Sequence, residues 1–303
     1  MTIDIDRLEQ IVKRAVATGA AVVVVVLTPG TSTGTGAGTG AGTGTGTDAG
    51  NRPGTSATAT ATSRTTATAS AVVTVQPTPV AATAAATLGW GTPTRADEFD
   101  AGTGQWSIDD GPGHGGNGRR SPAAVAVRDG VLTITGDSSG TTAGMSWGHG
   151  RRYGRWEARV RAPAADPSYH PVLLLWPDAE NGPKGGEIDF MEIGDPARQK
   201  VDVFLHHGPD DEQEHGQVQV DATRWHNWAV EWTPTSVTTF LDGRKWYGTT
   251  DRAVQPPGPM HLCIQLDWFP RGGPLPEDGS VQRSAMQVDW VREYGVTSDD
   301  GGR

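Results

Sequence analysis

From residue 88 onward the sequence is a succession of short apolar runs separated by Gly, Pro, Asp and Asn, and no other feature constrains the fold as much. Residues 125–135 alternate around Asp129-Gly130, and Asp242-Gly243 interrupts a second such run. An Asp-Gly pair between alternating runs signals a two-residue hairpin. Residues 153–161 alternate cleanly, which places Tyr153, Arg155, Glu157, Arg159 and Arg161 on one face. Residues 171–176 form an unbroken apolar run, as a central strand buried on both faces would. Residues 200–207, 228–232, 237–241 and 286–294 continue the pattern, and no helical pattern of three turns follows residue 88. The expected fold is all-β, an antiparallel β-sandwich.

The residues before 88 have a different character. Residues 1–14 are polar and end in Lys13-Arg14, and residues 15–27 are largely apolar, with valine at every position from Val22 to Val26. That run is shorter than the roughly 20 residues a membrane-spanning helix needs. Positive charge before such a run resembles a secretory signal, although Asp4, Asp6 and Glu9 are atypical of one. Residues 1–30 are therefore expected to act as a signal or an uncleaved anchor. Residues 31–87 are Thr-, Gly- and Ala-rich, with too few large side chains to offset the entropy of ordering. They read as a disordered linker or an O-glycosylated stalk. The folded domain is expected over 88–296, with a disordered tail at 297–303. A secreted or cell-surface location follows, with a membrane or cell-wall tether through the N-terminus.

Charge and composition exclude several function classes. Residues 1–87 carry five of the 25 basic and four of the 35 acidic side chains, a net +1, which leaves 20 against 31 and a net −11 beyond them. Such a domain is a poor nucleic-acid binder. The single Cys263 forbids an intrachain disulfide and any multi-cysteine metal site. His206-His207 with the distant His215 lacks zinc-site spacing, so no metal is expected. The Gly113–Arg119 stretch lacks the context of a phosphate loop. Ten of the 11 tryptophans fall after residue 100, where they either fill a core or stack on sugar rings.

The chemistry concentrates in Gly185-Gly186-Glu187-Ile188-Asp189-Phe190-Met191-Glu192-Ile193. On a strand, Glu187 and Asp189 share one face, and Glu192 would turn to the other. One extra residue, a β-bulge near Phe190-Met191, brings Glu192 back beside them. Three acids on one face repel and are costly to bury, which leaves a solvated surface or a functional site as the two readings.

The pattern Glu-aliphatic-Asp-x-x-Glu resembles the catalytic strand of glycoside hydrolase family 16, laminarinase-like, in its bulged form. Tyr153-Gly154-Arg155-Trp156-Glu157, the run ending at Trp176, the segment from Trp228 to Pro234 and the segment from Val288 to Tyr294 resemble that family's other landmarks, in order. The resemblance covers roughly residues 95–295. It implies a concanavalin A-like jelly roll and retaining, endo-acting hydrolysis of a polysaccharide. Glu187 would be the nucleophile and Glu192 the general acid/base, with Asp189 between them. It also implies Trp176 at the cleft floor, His207 steering Glu192 while His206 faces away, and Asn117 contacting sugar.

Two departures bear on substrate. Gln265, Asp267 and Trp268 stand where many relatives have an Asn-rich segment, and Arg119-Arg120 follows Asn117-Gly118 without the usual acid. Asp267 with Arg119 and Arg120 would suit a different or charged glycan. No cofactor is required, a structural calcium is compatible but not predicted, and a monomer is expected. Transglycosylation, or sugar binding without turnover on a cell-surface stalk, are the alternatives.

Overall fold

The computed structural model describes residues 81–182, 184–270 and 283–296. The signal-like segment 1–30, most of the linker and the tail at 297–303 lie outside the described residues. No helix among the described residues is long and apolar enough to cross a membrane.

Two antiparallel sheets face each other. One is ordered β16 (Arg244–Thr249), β15 (Val237–Leu241), β14 (His226–Trp232), β9 (Gly154–Arg161), β18 (Arg283–Tyr294), β6 (Val131–Asp137) and β5 (Val125–Arg128), with β1 (Arg95–Asp97) also on β18. The other is ordered β13 (Glu212–Gln219), β12 (Lys200–His207), β11 (Glu187–Glu192), β10 (Tyr169–Pro177), β17 (Met260–Trp268), β8 (Gly144–Ser146) and β2 (Ser107–Ile108). A small third sheet joins β3 (Gly111–Pro112), β4 (Arg119–Arg120) and β7 (Thr141–Thr142). Both Asp-Gly hairpins form as expected. Asp129 and Gly130 have φ of 51° and 75°, and Asp242 and Gly243 have 50° and 75°, the left-handed pair that a type I′ turn requires.

The core lies between the sheets and follows period two. Trp156, Ala158 and Val160 of β9 and Trp228, Val230 and Trp232 of β14 meet Leu173, Leu175, Val201, Val203, Leu205, Leu262 and Ile264. Each fully buried Val, Leu or Ile among them contributes about 1.5–3 kcal/mol of hydrophobic stabilisation. β10 is buried on both faces. Leu173 and Leu175 enter the core, while Val172 and Leu174 pack with Cys263 and Trp176 on the opposite side.

Tyr153 departs from the expected face. Its φ of 65° precedes the strand and turns its ring edge-on to Trp232 at 5.0 Å, against the core. The remaining polar residues of β9 form cross-strand pairs. Arg155 bonds Glu231 at 2.6 Å, Arg159 bonds Asp289 at 2.7 Å and Arg161 bonds Gln287 at 2.8 Å.

Glu157, fully buried, has a different partner. Its carboxylate accepts from the backbone N–H of Ala84 at 2.6 Å and of Ala85 at 3.3 Å, the first turn of helix α1 (Ala84–Leu88). Asn227 also donates to the carbonyls of Ala81 and Ala82. The linker boundary at residue 87 is therefore corrected, because residues 81–88 pack on the sandwich. Small alanines let the helix lie against the sheet, and their composition is what made them look like stalk.

Candidate active site

Gly185 and Gly186 lead into β11, and Gly186 takes φ of 74°, a conformation glycine enters without strain. Glu187 then pairs with His206, Ile188 with Leu205 and Asp189 with Phe204, after which the register shifts and Glu192 pairs with Asp202. On the other flank the register shifts between Leu173, opposite Met191, and Leu174, opposite Asp189. The expected bulge is thus present at Phe190 and Met191. Both side chains point into the core, each 0% exposed. Glu192 returns to the face of Glu187 and Asp189, and all three line one cleft of about 820 Å³.

Trp176, Gln265 and Asp267 also line the cleft. Trp176 sits outside the inter-sheet core, and its indole N–H donates to Glu180 at 2.9 Å. Gln265 and Asp267 are both held by Arg120, at 2.6 and 2.7 Å, and Arg120 also bonds Asp109 at 2.8 Å. Arg119 pairs with Asp110 at the exposed rim. Both arginines are therefore committed to carboxylates, which removes the argument for a charged glycan.

Three expected residues are not brought to the cleft. His207 is one strand position out of phase. Val201, Val203 and Leu205 point into the core, so Asp202, Phe204 and His206 share the cleft face, and His207 turns away to lie 3.6 Å from Glu212. His206, not His207, lines the cleft. Trp268 is excluded by the same alternation, since Asp267 faces the cleft and Trp268 packs at the margin of the core, over the backbone of Gly118 and Gly140. Asn117 is exposed and donates to the carbonyl of His114, closing its own turn at 3.3 Å, whereas His114 itself lines the cleft.

His170 is the residue that sequence reading missed. Its Nδ1 lies 2.7 Å from Glu192 Oε1, and its ring leans on Phe269 with centroids 4.5 Å apart. The signal was available, because His170 lies at period two from Trp176 through Leu174 and Val172. The position expected of His207, beside Glu192, is filled from a different strand.

Burial, and then the charge of Asp189, push the Glu187 carboxyl up to about 10. Burial, and then the charge of Glu192, also raise Asp189 well above the usual carboxylate range. Two carboxyls this close, one buried and one partly buried, cannot both ionise easily, so the Glu187–Asp189 pair retains a proton at neutral pH. His206 Nε2 lies 3.1 Å from Asp189 Oδ2. The arrangement presents a proton-sharing carboxyl pair at one end of the strand and a carboxyl group beside an imidazole at the other. Such a set can supply a nucleophile and a proton donor to one substrate bond.

A family model described as "Glycosyl hydrolases family 16" matches residues 117–292. A curated relative, "Beta-glucanase" of Rhodothermus marinus, is 28% identical over 167 residues, 47% of this chain and 57% of that protein. "Endo-1,3-1,4-beta-glycanase EglC" of Rhizobium meliloti is 25% identical over 191 residues, 57% of this chain and 40% of that protein. The chain thus spans less than two thirds of either relative's length. Among solved structures, the laminarinase catalytic domain of Thermotoga maritima shares the fold with a TM-score of 0.59 at 20% identity, covering 68% of this chain and 99% of that one. LamAcat of Zobellia galactanivorans has the same TM-score and identity, covering 69% and 99%.

Proposed function

The chain belongs to glycosyl hydrolases family 16, and from that premise we propose that it cleaves internal glycosidic bonds of a β-glucan-like polysaccharide with retention, through Glu187 and Glu192. The observation that carries this reading is the bulge at Phe190 and Met191, which puts both glutamates and Asp189 on one cleft face. Retention needs one carboxylate as nucleophile and one carboxyl as acid and then base. Glu187 attacks the anomeric carbon as Glu192 delivers its proton to the departing glycosidic oxygen. Glu192, now a carboxylate, then takes a proton from the water that releases the covalent glycosyl group.

Glu187 must be ionised to attack, although its surroundings favour the protonated form. Asp189 resolves this when it holds the pair's proton and donates a hydrogen bond to Glu187. The developing positive charge of the sugar ring then offsets the buried negative charge, so the interaction strengthens toward the transition state. Glu192 remains oriented by His170. The β-glucan-like class is supported by the names of the curated relatives and by a cleft whose one arginine among the described residues, Arg120, is already paired.

Glu187→Gln and Glu192→Gln are each expected to lower kcat by about 10²–10⁴-fold or more on a β-glucan panel, measured as new reducing ends. Full activity in either variant would overturn the assignment. Internal cleavage appears as a rapid fall in viscosity before small sugars accumulate. Adding acceptor oligosaccharide separates hydrolysis from transfer, and binding without reducing ends would mark a sugar-binding protein instead. We further place the protein outside the cell, on the signal-like residues 1–30 and the stalk-like stretch after them, which fractionation of tagged protein tests.

A further inference from the structure

His206 is presented to the cleft in one tautomer. Its Nδ1 lies 2.8 Å from Asp211 Oδ1, a nearer and charged partner than Gln213 Nε2 at 3.3 Å. A carboxylate can only accept, so Nδ1 carries a hydrogen, which leaves Nε2 as the ring atom able to ligate a cation. Nε2 faces Asp189 Oδ2 at 3.1 Å. Asp189 is 4% exposed, lines the cleft, and its Oδ1 meets no donor among the described residues unless Glu187 brings a proton. Ligand atoms of Glu187, Asp189 and His206 lie within 4.8 Å of one another. Acceptors converging in a buried place require a positive bridge, which is either a proton or a metal ion.

We propose that Glu187, Asp189 and His206 form a binding site for a zinc-class divalent cation, which closes the cleft reversibly. One imidazole and two carboxylates match the ligand types of three-ligand zinc sites, whose fourth position stays open. Calcium prefers six to eight oxygen ligands and suits this set poorly. The Asp211–His206 bond is the carboxylate–histidine pairing that orients metal-bound imidazoles. Tetrahedral bonds of about 2.0–2.1 Å put ligand atoms about 3.4 Å apart, so the flexible Glu187 side chain swings inward on binding. The ligands come from two neighbouring strands, and so no histidine spacing announces them. Metal binding occupies the lone pairs that the proposed hydrolysis uses on Glu187. The inhibitory consequence rests on that reading, whereas the binding does not.

Isothermal titration of the full chain with zinc chloride at neutral pH is expected to show one ion per chain, absent in His206→Gln and Asp189→Asn. Asp211→Asn, altered at an exposed side chain, should bind about 10–100-fold more weakly. A cobalt titration of the unaltered chain requires no variant and should give intense tetrahedral bands that zinc abolishes. Absence of zinc binding, affinity unchanged in all three variants, or only a weak octahedral cobalt spectrum would each overturn the site. On a β-glucan substrate, zinc should raise apparent KM and leave kcat unchanged. An inactive chain that still binds zinc refutes the hydrolase reading and leaves this one standing.

Discussion

Glu187 favours its protonated form once folded, and that preference has a measurable sign. Its ordinary carboxyl value of 4.5 rises to about 10 in the folded chain. Between those values the folded state holds a proton that the unfolded state has released, so rising pH removes stability throughout the interval. Glu187→Gln cannot ionise and should escape that loss. Its melting temperature is expected to exceed that of the unaltered chain by a margin that widens by a few degrees per pH unit above about 5. A constant margin across the interval would show that the glutamate is not the titrating group. His170 acts through Glu192, at 2.7 Å, and is a positioning residue. His170→Ala should lower kcat by about tenfold or more with little change in KM, since a misplaced acid loses rate while remote binding persists. A matching rise in KM would instead mark a sugar contact. The three acids were legible in sequence because only a bulge could put them on one face. His206 and Trp268 were misassigned although the apolar neighbours Val201, Val203 and Leu205, and Ile264 and Leu266, mark the core phase of their strands. Asn117 lies in a turn, where no period exists to orient a side chain.

At the scale of elements, the bulge and helix α1 are the two features that local pattern alone does not secure. Phe190 and Met191 together oppose a single register step of β10, and both fill the core. Inserting one alanine between Met191 and Glu192 should shift the register by one residue and turn Glu192 inward. The expected result is loss of activity with lowered stability, whereas Met191→Leu, which preserves the count and nearly the volume, should cost less than about 1.5 kcal/mol. Loss of activity in both variants alike would move the cause from register to packing. Helix α1 depends on a distant strand, because Glu157 receives its first N–H groups. Glu157→Ala leaves those buried donors unpaired and should cost about 1–3 kcal/mol, with faster amide exchange at Ala84 and Ala85, and Glu157→Gln should keep most of the cap. Equal exchange in both variants would show that the helix is held by its apolar contacts. Strands and hairpins were readable because alternation and Asp-Gly pairs are local. The helix was not, since its Ala-Thr sequence continues the low-complexity tract and its anchor lies more than 70 residues away.

The whole molecule adds a field to this local chemistry. The chain carries a net charge of −10, and the described cleft residues include Asp109, Glu180, Glu187, Asp189, Glu192, Asp211 and Asp267 against the single arginine Arg120. The charge of Arg120 is already met by Asp109 and Asp267, and Gln265 accepts from it as well. Charged walls of one sign concentrate potential inside a cleft, and a polysaccharide bearing carboxylates must enter against it. A neutral β-glucan has no such barrier. Comparison of a β-glucan with its carboxymethylated derivative, at equal chain length and low substitution, should therefore give kcat/KM about tenfold or more lower for the anionic form at low ionic strength. Raising salt toward physiological strength shortens the screening length to about 8 Å, and the difference should narrow. The neutral substrate should respond little to the same change. A discrimination that salt leaves intact would locate the cause in the shape of the carboxymethyl groups against Trp176 and the cleft wall, and equal rates at low salt would mean that the cleft acids set no field a substrate meets.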